Sequence, residues 1–248
     1  MPPLKSLLSR DSLIVALALV AAAILAWAWL LKSSSGAMAG MGPPPLSAAY
    51  VLPTFAMWVI MMIAMMIPSV APMILLHSRI NRAETQSART FQSLLVALAY
   101  LLVWTAFSAG AAFAQSLLVR AGALSGMALT LGPRTAAAVL LLGAAAYELT
   151  AAKRLCLDRC QAPMLFILSY WKPGAAGALR LGLKHGLYCL GCCWALMLLL
   201  FVGGVMNLAW VALLGIIVLG EKYAPAELHA ERYVAAVLTV VAVMIAVG

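Results

Sequence analysis

Three of the five cysteines in this chain lie within five consecutive residues, and a histidine precedes them by one helical turn. In a helix each residue advances by about 100°, so these four side chains share about one third of the circumference. Soft sulfur ligands on one helical face can hold a thiophilic metal, although a buried cysteine is often a small hydrophobic residue and nothing more. The spacing therefore predicts a metal or redox site. Its residues are His185, Cys189, Cys192 and Cys193.

A second thiol pair lies upstream of this segment. Cys156 and Cys160 are four residues apart, which places their sulfurs one turn apart if the segment is helical. The two groups of thiols can meet if the intervening chain folds back. The spacing Cys-x-x-Cys-Cys is not that of a zinc finger, so the pattern alone does not identify the metal.

The composition is that of a helical membrane protein. Of the 248 residues, 66% are hydrophobic and 9% are charged, and the mean hydropathy is +1.06. The apolar segments are continuous, whereas a membrane β-barrel would show alternation. The net charge of +9 fits cytoplasmic loops beside anionic lipid headgroups. Because the chain has no nucleic-acid motif, we expect the lipid bilayer, and no nucleic acid, as its partner.

We predict a single all-α membrane domain over residues 1–248, with about seven transmembrane helices. Ala37-Met38-Ala39 is typical of a signal cleavage site, but the preceding apolar run of about 20 residues favours an uncleaved first span. Gly203-Gly204 is the predicted break between the fifth and sixth helices. The predicted helices are 12–31, 48–76, 91–119, 134–152, 183–203, 205–219 and 233–247, with an interfacial segment at about 162–172.

Basic residues predict the orientation. In this topology, 13 of the 16 lysines and arginines lie on the side of the N-terminus, and Lys32, Arg120 and Arg134 lie on the other. We therefore expect a multi-pass protein of the bacterial inner membrane with a cytoplasmic N-terminus. Cys156 and Cys160 then fall in the cytoplasmic segment after the fourth helix, and Cys189, Cys192 and Cys193 fall in the first turns of the fifth helix. All of them lie towards the reducing compartment, where stable disulfides are rare.

The second predicted helix combines methionines with two prolines near its end. Thioethers select Cu(I) as thiolates do, although runs of methionine more often fill irregular cores. With Met38 and Met41 in the preceding loop, the methionines would form a route for a soft monovalent metal. Pro68 and Pro72 should kink the helix and leave carbonyl groups to neighbouring helices or water. The two methionine ridges are Met57, Met61 and Met65, and Met62, Met66 and Met73.

Charged residues near the helix ends have simple interpretations. Glu148 lies about one turn from Lys153, and we expect the two to pair. Glu221-Lys222 is expected to form a weak pair on the surface. His77 and His229 are expected to lie in solvated loops.

Three blocks of sequence carry a resemblance to a known family. They span about residues 55–223 and resemble the signature of a bacterial family of predicted metal-binding integral membrane proteins, a domain of unknown function. The resemblance implies a membrane protein that binds metal, and it implies no activity. The blocks are Trp58-x-x-Met61-Met62-x-Ala64-Met65-Met66-x-Pro68-Ser69, then Tyr147-Glu148-Leu149-Thr150-x-x-Lys153 with Cys156-x-x-x-Cys160, and finally Gly186-x-x-Cys189-x-Gly191-Cys192-Cys193-Trp194, continuing to Gly204-Val205-Met206-Asn207-Leu208 and Glu221-Lys222.

These patterns favour a protein that binds a soft metal for transport, delivery or tolerance, in contact with a metallochaperone or with subunits of a membrane complex. Cu(I) is favoured over Zn(II), which prefers more imidazole or carboxylate ligands. The cysteines are the principal expected ligands, with His185 as a further one and the methionines as weaker transfer sites. No P-loop is present, so ATP-driven transport is not indicated.

Two other interpretations remain open at the level of sequence. The chain can be a non-catalytic accessory subunit of a larger membrane complex, in which its sulfur-containing residues merely pack against neighbours. It can also be a membrane thiol–disulfide oxidoreductase that pairs Cys192 or Cys193 with Cys156 or Cys160. The cytoplasmic placement of the thiols disfavours this enzyme.

Overall fold

Helices dominate the computed structural model, which describes residues 10–35, 44–81, 85–125 and 129–247. Met38 and Met41 lie outside these residues. Within the described ranges, a pair of two-residue antiparallel strands, Leu124–Ser125 and Thr130–Leu131, connects two of the helices. The predicted helical membrane class is confirmed. The helices are α1 Arg10–Ser35, α2 Ala48–Ile80, α3 Gln86–Arg120, α4 Arg134–Glu148, α5 Ala151–Gln161, α6 Pro163–Tyr170, α7 Gly174–Leu198, α8 Leu200–Gly203, α9 Leu208–Tyr223 and α10 Ala230–Val247, with a 3-10 turn at Ala226–Leu228.

Five helical segments of the described chain are long and apolar enough to cross a membrane. The α4–α5 pair adds a sixth if the two are counted as one span, with a bend of 64° between them. Helix α9 has 16 residues, or about 24 Å, against a hydrocarbon core of about 30 Å. The number of seven spans and the cytoplasmic N-terminus therefore remain predictions. The five segments are Ser12–Ser33, Ala48–Ile80, Gln86–Arg120, Gly174–Gly203 and Ala226–Val247.

The prolines of α2 are accommodated by its neighbours. Pro68 has no N–H, which frees the carbonyl of Ala64, and Pro72 likewise frees the carbonyl of Pro68. The indole N–H of Trp27 on α1 donates to the Ala64 oxygen at 3.2 Å, and the hydroxyl of Tyr223 on α9 donates to the Pro68 oxygen at 3.2 Å. Neighbouring helices satisfy both groups, as predicted.

The segment predicted as one helix over 134–152 is instead two helices with a sharp bend. The side chain of Thr150 accepts a hydrogen bond from the backbone N–H of Lys153 and so begins α5 as its N-cap. The Lys153 ammonium is fully buried and forms the expected ion pair with Glu148. It also contacts both carboxylate oxygens of Glu221 on α9, at 2.9 and 2.8 Å. This triad fixes α5 against α9.

Helix α7 begins at Gly174, nine residues before the predicted start at 183. Residues 174–182 lie outside the predicted spans, but they continue the helix through Arg180, and Lys184 lies 3.9 Å from the ring centroid of Tyr170. Cys189 therefore lies about four turns from the start of the helix. The expectation that the cysteines occupy the first turns is wrong.

Helices α3 and α7 pack at close range. A Cβ atom at Gly182 of α7 would lie 2.3 Å from the carbonyl oxygen of Val96 on α3, so this approach requires glycine. The contact places Tyr100 of α3 beside the cysteines of α7.

Candidate metal centre

Three thiols of α7 form a compact group in the interior. The Sγ atoms of Cys189, Cys192 and Cys193 lie within 4.8 Å of one another, and each side chain is at most 2% exposed. The Sγ atoms of Cys189 and Cys193 are 4.0 Å apart. Two sulfurs bound to one metal at about 2.3 Å each cannot be more than about 4.6 Å apart. Small side-chain rotations are therefore enough to bring the thiols onto a single ion.

A fourth sulfur comes from α5. Cys160 Sγ lies 4.0 Å from Cys192 Sγ, and this contact depends on a close approach of the two helices at Gly191. A Cβ at Gly191 would lie 2.6 Å from the Sγ of Cys156, and the hydroxyl of Tyr147 donates to the Gly191 oxygen at 2.5 Å. Cys156 thus lies over Gly191 and outside the group of three thiols, while Cys160 contacts that group through Cys192.

A polar shell surrounds Cys189. The ammonium of Lys222 lies 2.9 Å from its sulfur, and the hydroxyl of Tyr100 lies 3.0 Å from it. Lys222 also donates to the hydroxyl of Ser69 on α2 at 3.0 Å. The hydroxyl of Ser69 lies 3.3 Å from that of Tyr100. Residues from α2, α3 and α9 therefore converge on one thiol of α7.

The other two thiols donate to the backbone. Cys192 Sγ lies 3.1 Å and Cys193 Sγ 2.8 Å from the carbonyl oxygen of Cys189. In the described part of the chain, no carboxylate lies within ion-pair distance of Lys222. An isolated buried ammonium is strongly unfavourable. A thiolate in the cysteine group is therefore the anion best placed to compensate Lys222.

Two sequence expectations about charged or ionisable residues are wrong. Glu221 and Lys222 do not form a surface pair, because they are 2% and 7% exposed and turn to different partners, Lys153 and Cys189. His77 does not lie in a loop, because it belongs to α2, is 3% exposed and has its Nδ1 3.0 Å from the hydroxyl of Ser93. The sequence feature that points to Lys222 is an acid and a base side by side at the end of an apolar run.

His185 lies one turn before Cys189 on the same buried face of α7. Its ring packs against the rings of Tyr100 and Phe166, with centroids 5.9 and 5.0 Å away. Its Nδ1 atom has no hydrogen-bond partner among the described residues. Its role as a ligand remains a prediction.

The methionines of α2 are buried in the hydrophobic core. The sulfur of Met66 lies close to the polar shell, 4.0 Å from the hydroxyl of Ser69. Met57, at the other end of the series, lines a cavity of about 240 Å³ together with Met206. Met65 lies against Gly215 of α9. The buried set is Met57, Met61, Met62, Met65 and Met66.

The donor set suits a soft metal. The group of three consists entirely of thiols, with a further thiol at one side and a thioether sulfur beside the polar shell. Thiols in a reduced state are required for such a site, and all five cysteines are free.

Comparison with known families agrees with this donor set. Residues 55–245 match the model of the PpoB2 family, which is described as copper chaperone. The chain belongs to the PpoB2 copper chaperone family. No curated protein matches the chain. No solved structure matches it either. Membership of the PpoB2 family confirms the resemblance seen in the sequence, and together with the cysteine group it supports copper binding in general.

Proposed function

We propose that this PpoB2-family chain is a membrane copper chaperone that holds Cu(I) on Cys189, Cys192 and Cys193, with Cys160 available as a fourth sulfur. The observation that carries the proposal is the buried group of three thiols within 4.8 Å. Thiolates suit soft metals, among them Cu(I), zinc and iron–sulfur clusters. The family description points to copper.

The ammonium of Lys222 can balance one negative charge in a dry interior. Cu(I) bound by the three cysteines carries a net charge of −1 if two of them are thiolates and the third remains a thiol. The same two thiolates on Zn(II) would form a neutral group and leave the ammonium without a counter-charge.

The methionines would serve the transfer step. Met66 lies beside Ser69, which contacts Lys222 at the thiol group. Met57 lies about 14 Å further along α2 at 1.5 Å per residue, where it lines the second cavity. Thioethers bind Cu(I) without adding charge. Copper would thus pass between the thiols and a partner metallochaperone or membrane-bound acceptor in the bacterial inner membrane.

Metal analysis of anaerobically purified protein tests the proposal. We expect the native chain to retain copper after dialysis, with copper–sulfur distances in its X-ray absorption spectrum. The triple variant Cys189→Ser, Cys192→Ser and Cys193→Ser should retain none.

Cys156→Ser is the matched control, because this thiol lies on α5 outside the group of three and should leave copper retention unchanged. Equal copper content in the native and triple variants would contradict the proposal. Stable co-purification with other membrane subunits, without metal, would favour an accessory role instead.

A further inference from the structure

A cavity of about 620 Å³ lies between the end of α5 and the end of α9. Asp158 and Gln161 of α5 line one side, and Tyr223 and Ala226 line the other. Gln161 donates to the carbonyl oxygens of Glu221 at 2.7 Å and Ala224 at 3.3 Å, which holds the two walls together. The cavity is thus built from two helices that are tied to each other.

Lys222 belongs both to this cavity and to the thiol group. Lys222 is one of the residues that line the cavity, and its ammonium reaches Cys189 at 2.9 Å. The thiols themselves are at most 2% exposed. A metal that enters through the cavity must therefore pass the lysine before it reaches sulfur.

We propose that this cavity is the port through which Cu(I) reaches the thiols, and that Lys222 is its gate. The inference rests on the proposed function. The ammonium occupies the position beside Cys189 that an incoming cation would need, and like charges at this range repel. When copper arrives, the lysine side chain rotates into the cavity, where the exposed carboxylate of Asp158 can receive the ammonium.

As a gate, Lys222 has two separable effects, one on the rate of copper loading and one on the rate of copper loss. In the closed position it slows loading, because it must move before a cation can pass. With copper bound, its charge balances the copper–thiolate group and so slows loss of the metal. Removal of the charge should therefore speed loading and weaken retention, whereas a variant that narrows the cavity should slow loading alone.

Stopped-flow loading from a coloured Cu(I)–bicinchoninate complex tests the port. We expect Ala226→Trp, which fills the cavity from its wall, to slow copper loading about tenfold with unchanged equilibrium affinity. The control is Leu228→Trp in the same turn, which adds the same ring outside the cavity lining. Unchanged loading by Ala226→Trp would overturn the port.

The metal-free protein supplies an independent readout. Alkylation of Cys192 by a small reagent, followed by mass spectrometry, should slow in Ala226→Trp and not in Leu228→Trp.

Lys222→Gln should load copper several-fold faster and release it faster, and Lys222→Arg should restore native rates. Native rates in Lys222→Gln would overturn the gate. A native protein that binds no copper at all would instead refute the proposed function, which the loading experiment detects first.

Discussion

The thiol group of α7 and the methionine series of α2 are both rows of buried sulfur, yet their surroundings differ. Around Cys189 lie an ammonium, a phenol and a serine hydroxyl drawn from three other helices. Met65, in contrast, packs against Gly215. A buried charge requires compensation whereas a thioether does not. Polar side chains around the sulfur atoms, more than the number of sulfurs, therefore distinguish a candidate binding site from a packed core.

Among substitutions that would distinguish the thiol group from the methionine series, replacement of Lys153 should have the largest effect. Lys153→Leu leaves Glu148 and Glu221 as buried carboxylates without their cation, which should lower the free energy of unfolding by about 3–5 kcal/mol. The same change should weaken copper binding, because Cys160 lies on α5 with Lys153. Unfolding of the protein in mixed micelles by increasing detergent measures the first effect, and chelator competition measures the second.

Lys172→Ala removes an exposed cation from the same part of the chain and should change neither quantity. If Lys153→Leu left both the stability and the copper affinity intact, the triad would have no part in holding the thiol region together.

Substitution of Gly191 should have an intermediate effect on stability and copper affinity, because it disturbs the thiols and leaves the methionines unchanged. Gly191→Val places new atoms against Cys156, and overpacking of this kind lowers stability by about 1–3 kcal/mol. We expect α5 to shift and to withdraw Cys160 from Cys192, which lowers copper affinity. The added substitution Cys156→Ala should recover part of the loss.

Gly110→Val is the matched change, since a Cβ at Gly110 meets nothing within 4 Å. Equal copper affinities in the Gly191 and Gly110 variants would show that the close approach of α5 does not matter to the site. Chelator competition on all three variants makes the comparison.

The smallest effect should come from the methionines themselves. Met66→Leu and Met62→Leu conserve volume, so each should change the unfolding free energy by less than about 1.5 kcal/mol. Because the Met66 sulfur lies 4.0 Å from the hydroxyl of Ser69 in the polar shell, Met66→Leu should reduce copper retention a few-fold while Met62→Leu should not. Equal retention by both variants would place the whole series in the core and outside the transfer route.

The sequence predicts the membrane class and the shared face of the cysteines, because hydropathy and helical period are local properties. It also predicts that neighbouring helices or water would satisfy the carbonyls freed by Pro68 and Pro72, because an unsatisfied carbonyl is costly in a bilayer. It does not predict Lys222 at the thiols. That position depends on where α9 ends relative to α7, and contacts between residues 33 positions apart leave no local pattern. The sequence also does not predict the early start of α7, because hydropathy marks only the apolar part of a helix and residues 174–182 include Arg180.

The hydrogen bond from Tyr223 to the Pro68 oxygen limits how the thiol centre can open. Tyr223 follows Lys222 directly, so the end of α9 is attached to α2 at the residue next to the proposed gate. A sliding or tilting α9 would break that bond, whereas rotation of the lysine side chain would not. Side-chain rotation takes place in picoseconds to nanoseconds, and collective helix motion takes microseconds to milliseconds. Opening would then be fast, and the gate would slow copper loading because the ammonium is rarely away from Cys189, not because its motion is slow.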